Sequence, residues 1–370
     1  MEQSSKIKLY SLQYLRAVAA ACVVLAHAST TLADMQHTPF LFHAGVYGVD
    51  LFFVISGFVM FYTTAGKPTT PGNFLLRRII RIEPIYLILT TFAFALAVLA
   101  PKLSNLFSPS PLNYVRSILF IPYFNPIYRD IRPEVQQGWT LNYEMFFYLL
   151  FACCLWLKRE YRVWVCIGLL VVLAAIGFSI TPGNVYAKTY TSPIIIEFAF
   201  GILIGYTLVC RELALPKLAT GFALAGAAAL FCAWRFGFSE RALFAGLPAA
   251  AVVTLAILLE RRGRMGHWPL FLLVGDASYS LYLVHTFVLS ALKRVFMRFY
   301  NVNPQRTELV FLACGLVAAT IVAILFYRIV ELPITTRLQV LTGSRRPKIE
   351  SRKSGVGSQE PETTQSAPTV

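Results

Sequence analysis

The stretch from Leu12 to Thr31, LQYLRAVAAACVVLAHASTT, is an apolar run interrupted only by Arg16 and His27. Both side chains lie on one face of a helix, because eleven positions at about 100° each add only about 20° to three full turns. At 1.5 Å per residue they are about 16 Å apart along the axis. They would form two ends of one site, unless Arg16 merely reaches the lipid headgroups and His27 is a satisfied buried group.

The rest of the chain repeats this apolar pattern. Of the 370 residues, 57% are hydrophobic and 14% are charged, and apolar runs near twenty residues recur, as in multi-spanning proteins of the lipid bilayer. We therefore predict an all-α polytopic integral membrane protein with about ten transmembrane helices. The formal charge of +15 comes from cations between the spans and lacks the base-stacking aromatics of a nucleic-acid site. The predicted spans are residues 12–31, 44–64, 84–100, 140–157, 163–180, 192–210, 218–234, 242–259, 270–292 and 308–330.

Charge in the connections orients these spans. Segments on the amino-terminal side hold 20 Lys and Arg residues and the opposite segments hold 11, so positive-inside bias predicts that both termini are cytoplasmic. We predict a membrane domain over residues 1–342 and a disordered cytoplasmic tail over 343–370, which is polar and poor in aromatics. In the long outer connection 101–139, the part from Leu112 to Phe124 is too short to cross the bilayer and would form a surface or re-entrant segment.

Five ionisable residues fall at similar predicted depths near the outer ends of their spans, about 6 to 10 Å below the boundary by helix rise. Buried charges cost several kcal/mol each unless paired or hydrated, so a shared depth favours one polar cavity open to the outside. Separate interhelical hydrogen bonds are the alternative. The five residues are His27, Asp50, Glu144, Glu197 and His285.

A second polar group is predicted at the cytoplasmic edge. Arg78 and Arg81 are three residues apart on one side of a helix, and Arg16 enters the bilayer at the same level. Three guanidinium groups suit a phosphate-bearing ligand, although ordinary positive-inside charge would also place them there. All seven cysteines fall within predicted spans and none has zinc-ligand spacing, so we predict no metal site.

Six sequence features in order carry a family resemblance. The chain resembles the membrane-bound acyltransferase-3 family, and within it the exopolysaccharide acetyltransferase branch, from Leu9 to about Arg337. The features are Arg16 and His27 with ten residues between them, GVDLFFVISGF at 48–58, RRIIRIEP at 77–84, WTLNYEMFFY at 139–148, GDASYSLYLVH at 275–285 and ELP at 331–333.

The resemblance implies a ten-helix enzyme of the bacterial inner membrane. Such an enzyme takes an acyl group, commonly acetyl, from cytoplasmic acyl-CoA to a hydroxyl of an envelope glycan or its lipid-linked precursor. By matching position, His27 is the family's essential histidine, Arg16 is its motif partner, and Glu144 is the fourth-span acid. Arg78 and Arg81 are the family's paired arginines.

Elementary chemistry agrees with those roles. A hydroxyl attacks a thioester only if a base takes its proton, and His27 is the natural base, with Glu144 holding the imidazole in the right tautomer. Arg16, Arg78 and Arg81 would hold the donor's phosphates. Alternatively, His27 is acylated first and relays the group.

The remaining polar residues are assigned to the acceptor. His285, Asp50 and Glu197 would contact it, while Tyr279 and Ser280 either donate hydrogen bonds to it or only join helices. Two rival classes stay open at this point. One is a transporter of a glycan precursor or small solute, and the other is an inactive binding or assembly subunit.

Overall fold

The protein is a bundle of helices, seen in a computed structural model. The structure describes residues 9–33, 45–66, 68–100, 107, 109–180, 182–236, 240–298 and 304–343, without the side chains at 32–33, 213, 233–236 and 304–308. The predicted tail therefore lies outside the described residues, except for Gly343. The helices are α1 Tyr10–Ala33, α2 Gly48–Thr64, α3 Pro71–Leu99, α4 Pro111–Ile118, α5 Trp139–Cys154, α6 Arg159–Ser179, α7 Val185–Tyr190, α8 Ile196–Cys210, α9 Leu215–Phe236, α10 Arg241–Phe244, α11 Gly246–Arg261, α12 Pro269–Asp276, α13 Ser278–Phe296, α14 Pro304–Phe326 and α15 Leu332–Leu341.

The prediction of an all-α polytopic protein is confirmed. Within the described residues, eight helices are long and apolar enough to cross a membrane, or nine if the bent pair α12 and α13 counts as one span. The remaining predicted span, residues 140–157, corresponds to α5, which has only 16 residues and is shorter than the roughly 20 that a bilayer requires. Its first turn carries buried polar side chains, Thr140 and Asn142, into the interior.

The amino-terminal end of α1 is anchored by a carboxylate from another helix. Glu260, near the end of α11, accepts hydrogen bonds from the backbone N–H groups of Tyr10 and Ser11 at 2.7 and 3.0 Å and from the Ser11 hydroxyl at 2.5 Å. These are N–H groups that a helix cannot satisfy internally. The contact fixes the position of α1 along the bundle, and therefore the positions of Arg16 and His27. We call this end of the bundle the near end and the opposite end the far end.

Glycine allows α2 and α8 to approach at backbone distance. A Cβ on Gly57 would lie 2.1 Å from the carbonyl oxygen of Phe198, and one on Gly201 would lie 2.0 Å from that of Val54. Small residues at such contacts let transmembrane helices pack by van der Waals contact, which replaces the hydrophobic effect inside lipid. Asp50 of α2 and Glu197 of α8 are thereby held on neighbouring helices.

The ninth predicted span is broken. Helices α12 and α13 meet at 73°, beside Gly275, where a Cβ would lie 2.2 Å from the carbonyl oxygen of Gln13. The bend lets α13 run along α1, so that Leu281 packs with Ala20 and Val24. It is this parallel course that brings the far halves of the two helices together.

The last long helix returns along the same pair. Helix α14 packs beside Leu289 and Ala28 at its start and then beside Ala20. It passes into a five-residue π-helical turn, Tyr327–Glu331, before α15. Glu331 there accepts a hydrogen bond from the Ser280 hydroxyl at 2.5 Å. π-Helical turns inside α-helices re-aim side chains and are frequent at functional sites.

The far-end connection before α5 is ordered around one buried acid. The hydroxyl of Ser117, in the short helix α4, accepts from the backbone N–H of Glu134 at 3.0 Å and lies 3.0 Å from the hydroxyl of Tyr123. Between them a two-stranded antiparallel hairpin, β1 Phe124–Asn125 and β2 Asp130–Ile131, pairs Phe124 with Ile131. The surface segment expected here is thus a short helix followed by a hairpin.

Candidate active site

The central feature is a pair of histidines from α1 and α13. His27 Nδ1 lies 2.7 Å from His285 Nε2, and the two rings are nearly parallel, with centroids 5.0 Å apart and planes at 9°. His285 is fully buried, whereas His27 is only partly buried. The two residues are 258 positions apart in the chain, and the bend before α13 is what brings them together.

The hydrogen bonds of the pair fix its tautomers. His285 Nδ1 lies 2.9 Å from the carbonyl oxygen of Leu281, and a carbonyl only accepts, so Nδ1 carries the proton. The Nε2 atom of neutral His285 is then an acceptor and receives the N–H of His27 Nδ1. In neutral His27 this leaves the lone pair on Nε2. An imidazole oriented in this way through its other nitrogen is the arrangement of a general base.

Glu144 does not orient His27, contrary to the sequence-based expectation. Its carboxylate accepts a hydrogen bond from the Tyr148 hydroxyl at 2.9 Å and lies within electrostatic reach of Arg16, Arg78 and Arg81. Helix α5 begins too close to the near end of the bundle for Glu144 to reach His27. Its Thr140 hydroxyl lies 3.0 Å from that of Tyr282, three residues before His285, so Glu144 lies roughly 10 Å nearer the near end than His285 by helix rise.

Asp50 and Glu197 also lie away from the histidines. Asp50 forms a two-point ion pair with Arg241, at 3.0 and 2.7 Å, and the carboxyl of Glu197 lies beside it. A Cβ on Gly48 would touch the carbonyl oxygen of Ala19, so α2 begins about 12 Å below His27 along α1. The single layer of five ionisable residues is therefore wrong: equal depth within each predicted span does not mean equal height in the bundle.

A cavity occupies the near half of the bundle. It encloses about 1240 Å³ of space, part of it open to solvent, and its polar lining includes Arg16, Arg78, Arg81, Glu144 and Tyr279. The three guanidinium groups predicted to converge do share this cavity, which we call the near cavity. His27, Asp50, Glu197, Ser280 and His285 are not in its lining.

The arginines of the near cavity have guanidinium N–H groups that make no hydrogen bond to another described residue. Arg78 reaches the Thr63 hydroxyl at 3.4 Å and packs its guanidinium 5.5 Å from the centre of the Phe74 ring, while its Nε is buried without a partner among the described residues. Neither Arg16 nor Arg81 has a hydrogen bond to another described residue. Free guanidinium donors in a concave site are suited to an oxyanion, which arginine binds through paired N–H groups.

The hydroxyls of Ser280 and Tyr279 on α13 donate hydrogen bonds to other parts of the protein. Ser280 donates to Glu331, and Tyr279 donates to the carbonyl oxygen of Ile82 at 2.8 Å. Ser280 is fully buried, so its hydroxyl joins helices and does not face the near cavity. Glu331 also lies within electrostatic reach of Arg16 and Arg81, and the bond from Ser280 fixes it there.

An aromatic wall separates the near cavity from the histidine pair. Phe52 and Tyr282 line the cavity, with their ring centroids 5.9 Å apart. The Tyr282 ring also lies 6.3 Å from that of His285, and its hydroxyl donates to the carbonyl oxygen of Gln137 at 3.2 Å. The near cavity therefore ends about one ring short of the histidines.

Sequence reasoning missed two cations at the far end. Arg241 was counted only as loop charge, and its position at the end of a predicted span containing no other cation was the available signal for a partner such as Asp50. Arg132, which lies within electrostatic reach of His27, carries no such signal, because it stands in an irregular connection.

Comparisons with known proteins identify the family. The chain is 35% identical over 304 residues, 80% of its length, to the exopolysaccharide production protein ExoZ of Rhizobium meliloti (strain 1021), and the match covers 91% of that protein. No solved structure matches the chain. The acyltransferase domain model of the acyltransferase 3 family matches residues 9–328, which favours an acyltransferase over a transporter. The chain with the histidine pair and the arginine-lined cavity is therefore a membrane protein of the acyltransferase 3 family.

Proposed function

We propose that this protein moves an acetyl group from cytoplasmic acetyl-CoA to a hydroxyl of an exported polysaccharide or its lipid-linked precursor. The observation that carries the proposal is the His27 and His285 pair, which leaves a free lone pair on His27 Nε2. A hydroxyl needs such a base to attack a thioester at neutral pH. The acceptor class is supported by the similarity to a protein named for exopolysaccharide production.

The near cavity is the proposed donor site. It is concave and lined mainly by apolar side chains with a few convergent polar groups, as small-molecule sites usually are. Arg16, Arg78 and Arg81 would hold the phosphates of the donor, and Glu144 would position their guanidinium groups. The excess of Lys and Arg in the near-end connections favours the cytoplasmic side for this opening, so the donor would enter from the cytoplasm.

The transfer step is balanced at His27. His27 Nε2 takes the proton of the acceptor hydroxyl while the hydroxyl oxygen attacks the thioester carbonyl carbon. The C–S bond then breaks as the tetrahedral intermediate collapses. The imidazolium then returns the proton to the leaving thiolate. In between, His27 Nδ1–H donates to His285 Nε2, and that hydrogen bond strengthens when His27 becomes positively charged. The products are the ester and free coenzyme A.

The thioester has to pass the aromatic wall to reach His27. Phe52 is only partly buried and is the side chain whose rotation would open the way. Phe52→Trp should lower kcat by a larger factor than it raises the Kd for acetyl-CoA, since the enlarged ring would stand beside Tyr282, where the way to His27 has to open. A Phe52→Leu control retains an apolar side chain without the larger ring. A lower donor affinity with unchanged kcat would contradict this route.

The proposal is tested by release of coenzyme A. Full-length protein in detergent is given acetyl-CoA with polysaccharide extracted from cells that lack the protein, and free thiol is measured. His27→Ala should lower kcat by about 10²- to 10⁴-fold, the usual contribution of a positioned base. Turnover at the wild-type rate in His27→Ala would refute the assignment. One equivalent of thiol released without acceptor would indicate an acyl-histidine relay.

The arginines are tested with a neighbour as control. Arg78→Ala and Arg81→Ala should each raise the KM for acetyl-CoA by about tenfold or more, because each removes a charge-assisted hydrogen bond. The KM for the polysaccharide should stay within about twofold. Arg77 lies beside Arg78 but is outside the lining of the near cavity, so Arg77→Ala should change neither value. Equal donor KM values in all three variants would contradict the phosphate role.

A further inference from the structure

A second cavity opens at the far end of the bundle. It encloses about 1180 Å³ of space, part of it open to solvent, and we call it the far cavity. The hairpin contributes Asp130 and Arg132, helix α7 contributes Lys188, and α10 contributes Arg241. Aromatic side chains from α5 also line it.

The two cavities share helix α5 as a wall. Trp139 and Tyr143 line the far cavity, whereas Thr140 and Glu144 line the near cavity. Because successive residues of a helix point about 100° apart, the first two turns of this short helix present different faces to the two cavities. A molecule in the far cavity would therefore lie across one helix from a donor in the near cavity.

The three cations of the far cavity differ in how firmly each is paired with a carboxylate. Arg241 is paired with the buried Asp50, and that pair is fixed. Arg132 is paired with Asp130 at 2.9 Å, but the two side chains are 31% and 52% exposed. An exposed pair of this kind is worth about 0–1 kcal/mol and can exchange partners. Lys188 is exposed and has no ion pair with a described residue, so the cavity offers an ammonium group and an exchangeable guanidinium.

The aromatic side is suited to sugar. Trp139 and Tyr143 are each partly buried and pack edge to face, with ring centroids 5.8 Å apart. Aromatic faces with a polar edge provide large contact area in mixed polar and apolar sites. The far cavity thus combines apolar ring faces with cations, which is the complement of a saccharide that carries a negative charge.

We propose that the far cavity binds the acceptor through an oxyanion on the saccharide, held by Lys188 with Arg132. This inference rests on the proposed function and adds the charge class of the acceptor. The oxyanion is either a carboxylate of an acidic sugar or the pyrophosphate of a lipid carrier, and both have the oxygen chemistry that these side chains bind.

The test measures binding to the full-length protein in detergent by calorimetry. The probes are an oligosaccharide containing glucuronate, the same oligosaccharide with its carboxyl reduced to an alcohol, and a neutral disaccharide joined through pyrophosphate to farnesol. We expect at least one anionic probe to bind about tenfold or more tighter than the reduced oligosaccharide, the scale of one charge-assisted hydrogen bond. Tighter binding of the glucuronate probe would identify the oxyanion as a sugar carboxylate, and tighter binding of the farnesol probe would identify it as the pyrophosphate of a lipid carrier.

Lys188→Gln should reduce that preference to within about threefold and leave the Kd for acetyl-CoA unchanged. Lys217→Gln, at an exposed near-end lysine, is the matched control and should keep the full preference. Equal binding of the anionic and reduced probes, or a preference that survives Lys188→Gln, would overturn the inference. Such a result leaves coenzyme A release and its dependence on His27 intact, so failure here is distinct from failure of the proposed function.

Discussion

Removing His285 Nε2, which accepts the hydrogen bond from His27, should slow catalysis without weakening the binding of acetyl-CoA. His285 receives the His27 N–H at 2.7 Å, and this bond is made to a cation when His27 holds the acceptor's proton. Hydrogen bonds to charged groups are worth about 1.5–3 kcal/mol, which at about 1.36 kcal/mol per factor of ten is about 10- to 160-fold in rate. His285→Leu, of similar bulk, should therefore lower kcat by about that factor.

The matched variant is His285→Gln. Its amide oxygen can accept from His27 Nδ1–H near the place of the lost Nε2, so the tautomer is retained and kcat should recover to within about tenfold of wild type. Initial rates of coenzyme A release give kcat and KM for acetyl-CoA, and thermal unfolding in detergent checks that the variants fold. The KM for acetyl-CoA should stay within about twofold in both.

Two results would refute this reasoning. One is a wild-type kcat in folded His285→Leu, which would mean that the pair does not act in catalysis. The other is an equal loss in His285→Gln and His285→Leu, which would mean that bulk and packing matter and the acceptor atom does not.

Three further outcomes are expected. Glu260→Ala should lower the free energy of unfolding by about 1–2 kcal/mol, since the first turn of α1 loses its cap; an unchanged melting temperature in detergent would contradict this. Gly201→Ala should cost about 1–3 kcal/mol by overpacking α2 against α8, while Gly168→Ala, which meets nothing within 4 Å, should be neutral, both measured as thermal stability. An impermeant maleimide applied to intact cells should label Gly183→Cys and not Arg264→Cys, and the reverse would invert the orientation.

The sequence alone determined the class and most of the helices. Long apolar runs predict membrane spans directly, because a backbone without water must satisfy its own hydrogen bonds and helices do so locally. The common face of Arg16 and His27 likewise follows from helix periodicity within one segment. The convergence of Arg78 and Arg81 on Arg16 was predictable too, since all three stand close to the same end of their helices.

Only the tertiary structure decided the partners of the buried polar groups. His27 meets His285 because the chain bends between α12 and α13, just after Gly275. Glu144 lies nearer the near end than both histidines because α5 is short and begins level with Tyr282. Depth within a span could not reveal this, since it assumes that every helix starts at the same membrane surface. Heights and rotations of neighbouring helices come from contacts between residues hundreds of positions apart, such as Gly275 with Gln13, and no local pattern in the chain encodes them.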